Sequence, residues 1–201
     1  MNTTQLQSTT NDTLVVESTV RRVLVEKRAG FDLEAQSLKK DLIESLHIDT
    51  IENIRVLNRY DVEDLSEEVF ENAAKTIFSE TNLDVVYYNE LEYINENDRV
   101  FAIEYLPGQY DQRGDWAAQC IQIVNEGKRP NISTAKVYVL SGNISDTDFD
   151  RIKSYCINPV DSREASLEIP KTLEMEIEVP TSVAILDGFI DFSAEELETF
   201  L

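Results

Sequence analysis

Two glycines, Gly108 and Gly114, lie close enough in sequence to suggest a loop that cradles a phosphate through its backbone amides. Such a loop needs a Lys followed by Ser or Thr after the second glycine, and small residues between the two. Here Asp115 and Trp116 follow, and most of the intervening side chains are bulky and polar or aromatic, so nucleotide binding is not expected there. Asp146, Asp148 and Asp150 imitate the start of a calcium loop, but Arg151 stands where the turn glycine belongs and Ile157 where the closing glutamate belongs. A solvated first helical turn, with acidic residues matching the helix dipole, accounts for them. Asp32 and Asp111 recur at matching places and could be read as paired acid–base carboxylates, yet each is explained singly as a helix cap. Cys120 and Cys156 have neither metal nor redox spacing, and the sole histidine, His47, lies in the other half of the chain from both. His47 is read as a helix C-terminal residue and Cys156 as a small core residue. No catalytic residue, cofactor site or metal site emerges from these residue types.

The elements that would position such groups are legible from periodicity. Val23 and Val25 mark a strand, Gly30 its turn, and Asp32 the cap of a helix carrying Leu38, Leu42 and Leu46, which His47 ends. Residues 51–62 read as a long strand. Ser66 opens a second helix whose Val69, Phe70, Ala73, Ala74, Ile77 and Phe78 make an apolar face, and residues 85–88 read as a short strand. After a polar connector, Phe101, Ile103 and Tyr105 alternate as a half-buried strand does, Pro107-Gly108 turns the chain, and Asp111 caps the next helix.

The second half repeats the first. Glu26 falls on Glu104, Phe31-Asp32 on Tyr110-Asp111, Ser66 on Ser145, Phe70 on Phe149 and Ile77-Phe78 on Cys156-Ile157, at an offset of about 79 residues. Two copies suggest a duplicated domain, because stacked arrays need three or more repeats. The expected fold is α+β: duplicated β-α-β-α-β units sharing a mixed sheet, with the helices on one face. Residues 1–19, rich in Ser, Thr, Asn and Gln, are expected to be a disordered tail. Residues 20–92 are the first copy and 93–168 the second. Residues 169–201 read as a linker and the start of a following, truncated domain, with a charged alternating segment at 173–179. There Ser193 and Glu196 form a capping box, and Leu197, Phe200 and Leu201 begin an apolar stripe.

Composition removes whole classes of partner. The 201 residues carry 39 Asp plus Glu against 18 Lys plus Arg, a net charge of -21, which repels a nucleic-acid backbone and an anionic membrane alike. A hydrophobic content of 42% is enough to bury a core. No run of about 18 apolar residues exists and no signal-peptide pattern opens the chain, so a cytoplasmic location is expected.

Several phrases carry a family resemblance: Glu104-Tyr-Leu-Pro-Gly108-Gln-Tyr-Asp-Gln-Arg113, Ala118-Gln-Cys-Ile-Gln122 and Asn158-Pro-Val-Asp-Ser-Arg-Glu-Ala-Ser-Leu167. They resemble the N-terminal region of long-chain phosphoribosylformylglycinamidine synthase. Arg28-Ala-Gly-Phe-Asp-Leu-Glu-Ala-Gln-Ser37 and Asn53-Ile-Arg-Val-Leu-Asn-Arg-Tyr-Asp-Val62 are similar to the same region, and more distantly to the separate small subunit of the split bacterial form. In that family the duplicated region stands in for a dimer of small subunits. The complete enzyme is an ATP-dependent ligase and glutamine amidotransferase of de novo purine biosynthesis, amidating formylglycinamide ribonucleotide with ammonia from glutamine.

The resemblance implies a docking and coupling domain, inactive alone, whose partners are the synthetase and glutaminase domains in cis or in trans. ATP and magnesium belong to the complete enzyme, and no cofactor is expected in this chain. Gln109, Arg113, Asn158 and Arg163 are the candidate inter-domain contacts, because they lie in the most family-specific phrases although the fold does not demand their side chains. Two alternatives come from other classes: a stand-alone interaction or scaffold protein, and a small-ligand regulatory domain binding a metabolite between the copies.

Overall fold

A computed structural model describes residues 20–174 and 189–200. The expectations for residues 1–19, for most of the 173–179 segment and for Leu201 lie outside the described residues. The order is β1 (Arg21–Lys27), α1 (Leu33–Leu46), β2 (Ile51–Glu63), α2 (Glu67–Thr76), β3 (Asp84–Tyr88), then β4 (Arg99–Tyr105), α3 (Gln112–Asn125), β5 (Asn131–Gly142), α4 (Asp146–Cys156) and β6 (Ser162–Ala165). A 3-10 turn at Phe189–Asp191 precedes α5 (Ala194–Phe200). Ser193 does form the capping box: its backbone N–H donates to Glu196 Oε2 at 2.8 Å and its Oγ accepts from the Glu196 N–H at 3.4 Å.

All six strands join one sheet in the order β3-β1-β2-β5-β4-β6. The two units are the α+β duplicates expected, but the sheet is antiparallel at every interface where a mixed sheet was expected. The reason lies in α1 and α3. A helix of 14 residues spans about 21 Å, and the register shows that α1 carries the chain onward past the end of β1 instead of back beside it. The 13-residue β2 then returns along the whole distance, its later half on β1 and its earlier half reaching beyond it. Only β5 lies beside that earlier half.

The register makes the duplication geometric. Val23 pairs with Tyr60 and, 78 residues later, Phe101 pairs with Tyr138; Leu24 pairs with Tyr87 as Ala102 pairs with Ala165. In the central β2–β5 pairing Asn58 faces Lys136, also 78 residues apart, so the pseudo-twofold axis passes through that pair. Ser66 and Ser145 both cap their helices, accepting from the N–H of Val69 at 3.4 Å and of Asp148 at 3.1 Å.

The helices cover one face, and the first helix of each copy serves the other copy. One cluster joins Val23, Val25, Tyr60, Val62 and α2 to Ala117 and Ile121 of α3. A second joins Phe101, Tyr138, Leu140 and α4 to Ala35 and Leu42 of α1. Each half of the core therefore needs a helix from the other copy, so burial of apolar area couples the two copies directly. The opposite face buries Leu24, Leu57, Ala102, Val137 and Val139 beneath the connector 89–98 and the segment 166–174. Among the described residues no helix is long and apolar enough to cross a membrane.

Candidate binding site at the junction of the two copies

The groups singled out for chemistry are mostly held by local structure. Gly108 takes φ +88° in the turn after β4, a conformation glycine adopts without penalty. Gly114 serves a different purpose, inside α3: a Cβ there would lie 2.9 Å from the Ile132 carbonyl oxygen and 2.7 Å from Asp111 Oδ2, so the absent side chain lets α3 approach β5. Asp111 caps α3 through the Gly114 N–H at 2.8 Å and also accepts from the Thr134 N–H and hydroxyl at 2.7 and 2.8 Å. Asp32 differs from the expectation. It occupies the N-cap position but makes no capping bond; its Oδ1 accepts from the Gly30 N–H at 2.9 Å and from Gln36 Nε2 at 2.7 Å, because the carboxylate folds back over the preceding turn.

Asp148 pairs with Arg151 and Asp150 with Lys153 on the surface of α4, while Asp146 pairs with Arg99. Cys156 packs against the second core cluster, and burial pushes its thiol up to about 11; Cys120 is exposed. His47 ends α1 in the left-handed region at φ 56°, its N–H donating to the Ile43 carbonyl and the Ile48 N–H to that of Leu42. Among the described residues no group of three His, Cys, Asp or Glu side chains converges as a metal site would.

The sheet face opposite the helices holds a charged array that no sequence motif marks. Arg22 donates to Asp61 bidentately, Nε to Oδ1 at 2.6 Å and Nη2 to Oδ2 at 2.8 Å, with both residues almost wholly buried. Arg59, also buried, stands on the other side of Asp61. Its Nε lies 3.3 Å from Asp61 Oδ2, yet the approach is too oblique for a hydrogen bond, so this N–H has no acceptor among the described residues. Burial holds the Arg59 pKa below its ordinary value, with Asp61 opposing and Arg22 adding to the shift. Both Arg59 and Glu104 are register partners of Ala135, and that small side chain lets Arg59 Nη2 come within 3.8 Å of Glu104 Oε2. Arg163, the β6 partner of Glu104, donates to its Oε1 from Nε at 2.8 Å.

The segment after β6 is fastened over this array by backbone carbonyls. Arg59 donates to Ser166 O and Arg22 to Leu167 O and Glu168 O, while Glu63 Oε2 accepts the Leu173 N–H at 2.9 Å. Between this segment, the start of β5 and the turn after β4 lies a cavity of about 360 Å³. Arg59 and Asp61 from the first copy and Glu104, Gln109, Ser133 and Arg163 from the second contribute to its lining.

The four candidate contact residues divide between two faces and a turn. Gln109 and Arg163 meet at this cavity, with Arg163 half exposed at the mouth. Arg113 lies on the helix face, where its Nη1 reaches the Tyr60 hydroxyl at 3.4 Å and lines a separate cavity of about 480 Å³. Asn158 builds the turn before β6: its Oδ1 accepts from the Val160 N–H at 3.2 Å and its Nδ2 donates to Asp161 at 3.1 Å. Sequence reasoning missed Arg22, Arg59 and Asp61. The available signal was Arg55, Arg59 and Asp61 all on one parity of a strand otherwise apolar enough to be buried on both faces. Comparison of the sequence with protein-family models finds no match, and comparison with curated proteins finds none.

Proposed function

We propose that the chain is a non-catalytic docking and coupling domain of phosphoribosylformylglycinamidine synthase of the long-chain form. The observation that carries this reading is the pairing of β2 with β5 about an axis through Asn58 and Lys136, which fuses two equivalent units into one sheet. A dimer of small subunits would be built the same way, and the phrases that resemble the family lie on both sides of that axis. Its partners would be the synthetase and glutaminase domains, and a purine-biosynthetic role carries a cytoplasmic location with it. ATP and magnesium would be held by those other domains. The residues here do not suit them, since Gly114 is spent on helix–strand contact and the acidic groups of α4 on ion pairs.

The test is reconstitution. The chain is mixed with a synthase lacking its first domain, and amidation of formylglycinamide ribonucleotide is followed with glutamine and ATP. Restored turnover, weakened by Arg163→Ala, supports docking; the chain alone turns over neither glutamine nor ATP. Absence of association by calorimetry with a folded chain refutes the reading, as does turnover by the pure chain that Cys120→Ala or Cys156→Ala abolishes.

A further inference from the structure

The offset of 78 residues allows each position on the charged face to be compared with its counterpart in the other copy. Glu26 and Glu104 are counterparts. Around Glu26 the space is full: Arg55 donates Nε and Nη2 to its carboxylate at 2.8 and 2.7 Å, and the Tyr87 hydroxyl donates at 3.0 Å. Arg55 Nη1 closes the arrangement on the carbonyls of Glu92 and Tyr93. The counterpart of Arg55 is Ser133 and that of Tyr87 is Ala165. Two large side chains in one copy are thus replaced by two small ones in the other, and the cavity is lined by one of them, Ser133.

The charges are just as uneven. Arg22, Asp61 and Arg59 have Val100, Val139 and Val137 as counterparts, so the fold is satisfied by three valines at these positions. Burying three ionised groups costs desolvation that well-packed apolar side chains avoid, and stability alone does not call for them. Two of them, Arg59 and Asp61, line a cavity of ligand size, about 360 Å³, at the lower end of the range of about 300 to 1,000 Å³ for small-molecule sites. The outer wall is acidic, with Glu168 and Glu174 exposed along it, while Asp111 is consumed by the α3 cap.

We infer that this cavity binds a small zwitterion, a carboxylate joined to an ammonium group as in a free amino acid. Its carboxylate accepts from Arg163 at the mouth, and its ammonium faces Glu168 and Glu174. The inference is independent of the docking role, because it concerns binding by this chain alone.

The test titrates the isotope-labelled full chain with each proteinogenic amino acid in turn, and with acetate and methylamine as half-ligands, at matched ionic strength. Saturable amide shifts around Arg59, Glu104, Ser133 and Arg163, with a Kd below about 1 mM for at least one amino acid, support it. Acetate and methylamine bind at least about tenfold more weakly. Ser133→Arg restores the side chain of the filled copy and lowers affinity at least about tenfold while the chain stays folded. If that variant does not fold, Ser133→Gln serves as the second, smaller plug. No saturable shift with any amino acid at about 10 mM overturns the inference, as does affinity unchanged in a folded plug variant. Acetate binding as tightly as the best amino acid refutes the zwitterion in favour of a simple anion.

Discussion

Asp61 is the single carboxylate between two buried guanidinium groups, and Asp61→Ala should be the most costly substitution on the sheet face opposite the helices. It removes both acceptors of Arg22, at 2.6 and 2.8 Å, and the counter-charge 3.3 Å from Arg59 Nε, at a side chain only 2% exposed. Breaking a buried ion pair by deleting one partner costs about 3 to 5 kcal/mol, because the remaining charge is left desolvated and uncompensated. Two arginines are stranded here, which raises the cost, while the carbonyls of Ser166, Leu167 and Glu168 still accept from them, which lowers it. A loss of about 4 kcal/mol is expected, or about 8 to 16 °C in Tm for a chain of this size. Urea unfolding followed by far-ultraviolet circular dichroism measures it, with the slope m unchanged if only stability is altered. The double variant Arg22→Met with Asp61→Leu removes the pair as a unit and should cost less than Asp61→Ala alone. A loss below about 1 kcal/mol for Asp61→Ala, or a double variant as unstable as the sum of the singles, would refute the account of a mutually dependent buried cluster.

Two further outcomes follow from the exchanged helices and the buried thiol. Residues 20–92 alone should not fold as a monomer, because α1 would expose Ala35 and Leu42 without Phe101, Tyr138 and Leu140; they should instead fold with rising concentration as a homodimer with Asn58 facing Asn58. Sedimentation with circular dichroism across a dilution series checks this, and a folded monomer contradicts it. In the native chain a thiol-reactive disulfide should modify Cys120 readily and Cys156 only on unfolding, since burial raises the Cys156 thiol from 9.0 to about 11. A raised thiol pKa means the folded state favours the protonated form. This contribution is therefore complete below pH 9.0 and is lost as pH rises toward about 11. Equal labelling rates for the two cysteines in the folded chain would contradict the burial argument.

What the sequence determined by itself is what depends on near neighbours along the chain. Ser66 and Ser145 cap helices because a hydroxyl three residues before a free N–H reaches it regardless of the rest of the fold. The apolar spacing from Val69 to Phe78 shows which side of α2 is buried, and the recurrence of Phe70 at Phe149 reveals the duplication. Periodicity names a buried face but not what covers it, so the exchange of α1 and α3 between copies was decided only in three dimensions. The same is true of the antiparallel sheet, which follows from the direction α1 takes past the end of β1. Asp32 and Asp111 occupy equivalent positions, yet only Asp111 caps, because β5 presents Thr134 to hold its carboxylate in place. Gly114 belongs to no loop motif, and only the tertiary structure gives its purpose: a Cβ there would lie 2.9 Å from the Ile132 carbonyl oxygen. The site depends most on tertiary structure: Arg22, Asp61, Glu104 and Arg163 come from four strands far apart in sequence. Small side chains at Ser133 and Ala135 matter there only because cross-strand register sets them beside large charged ones.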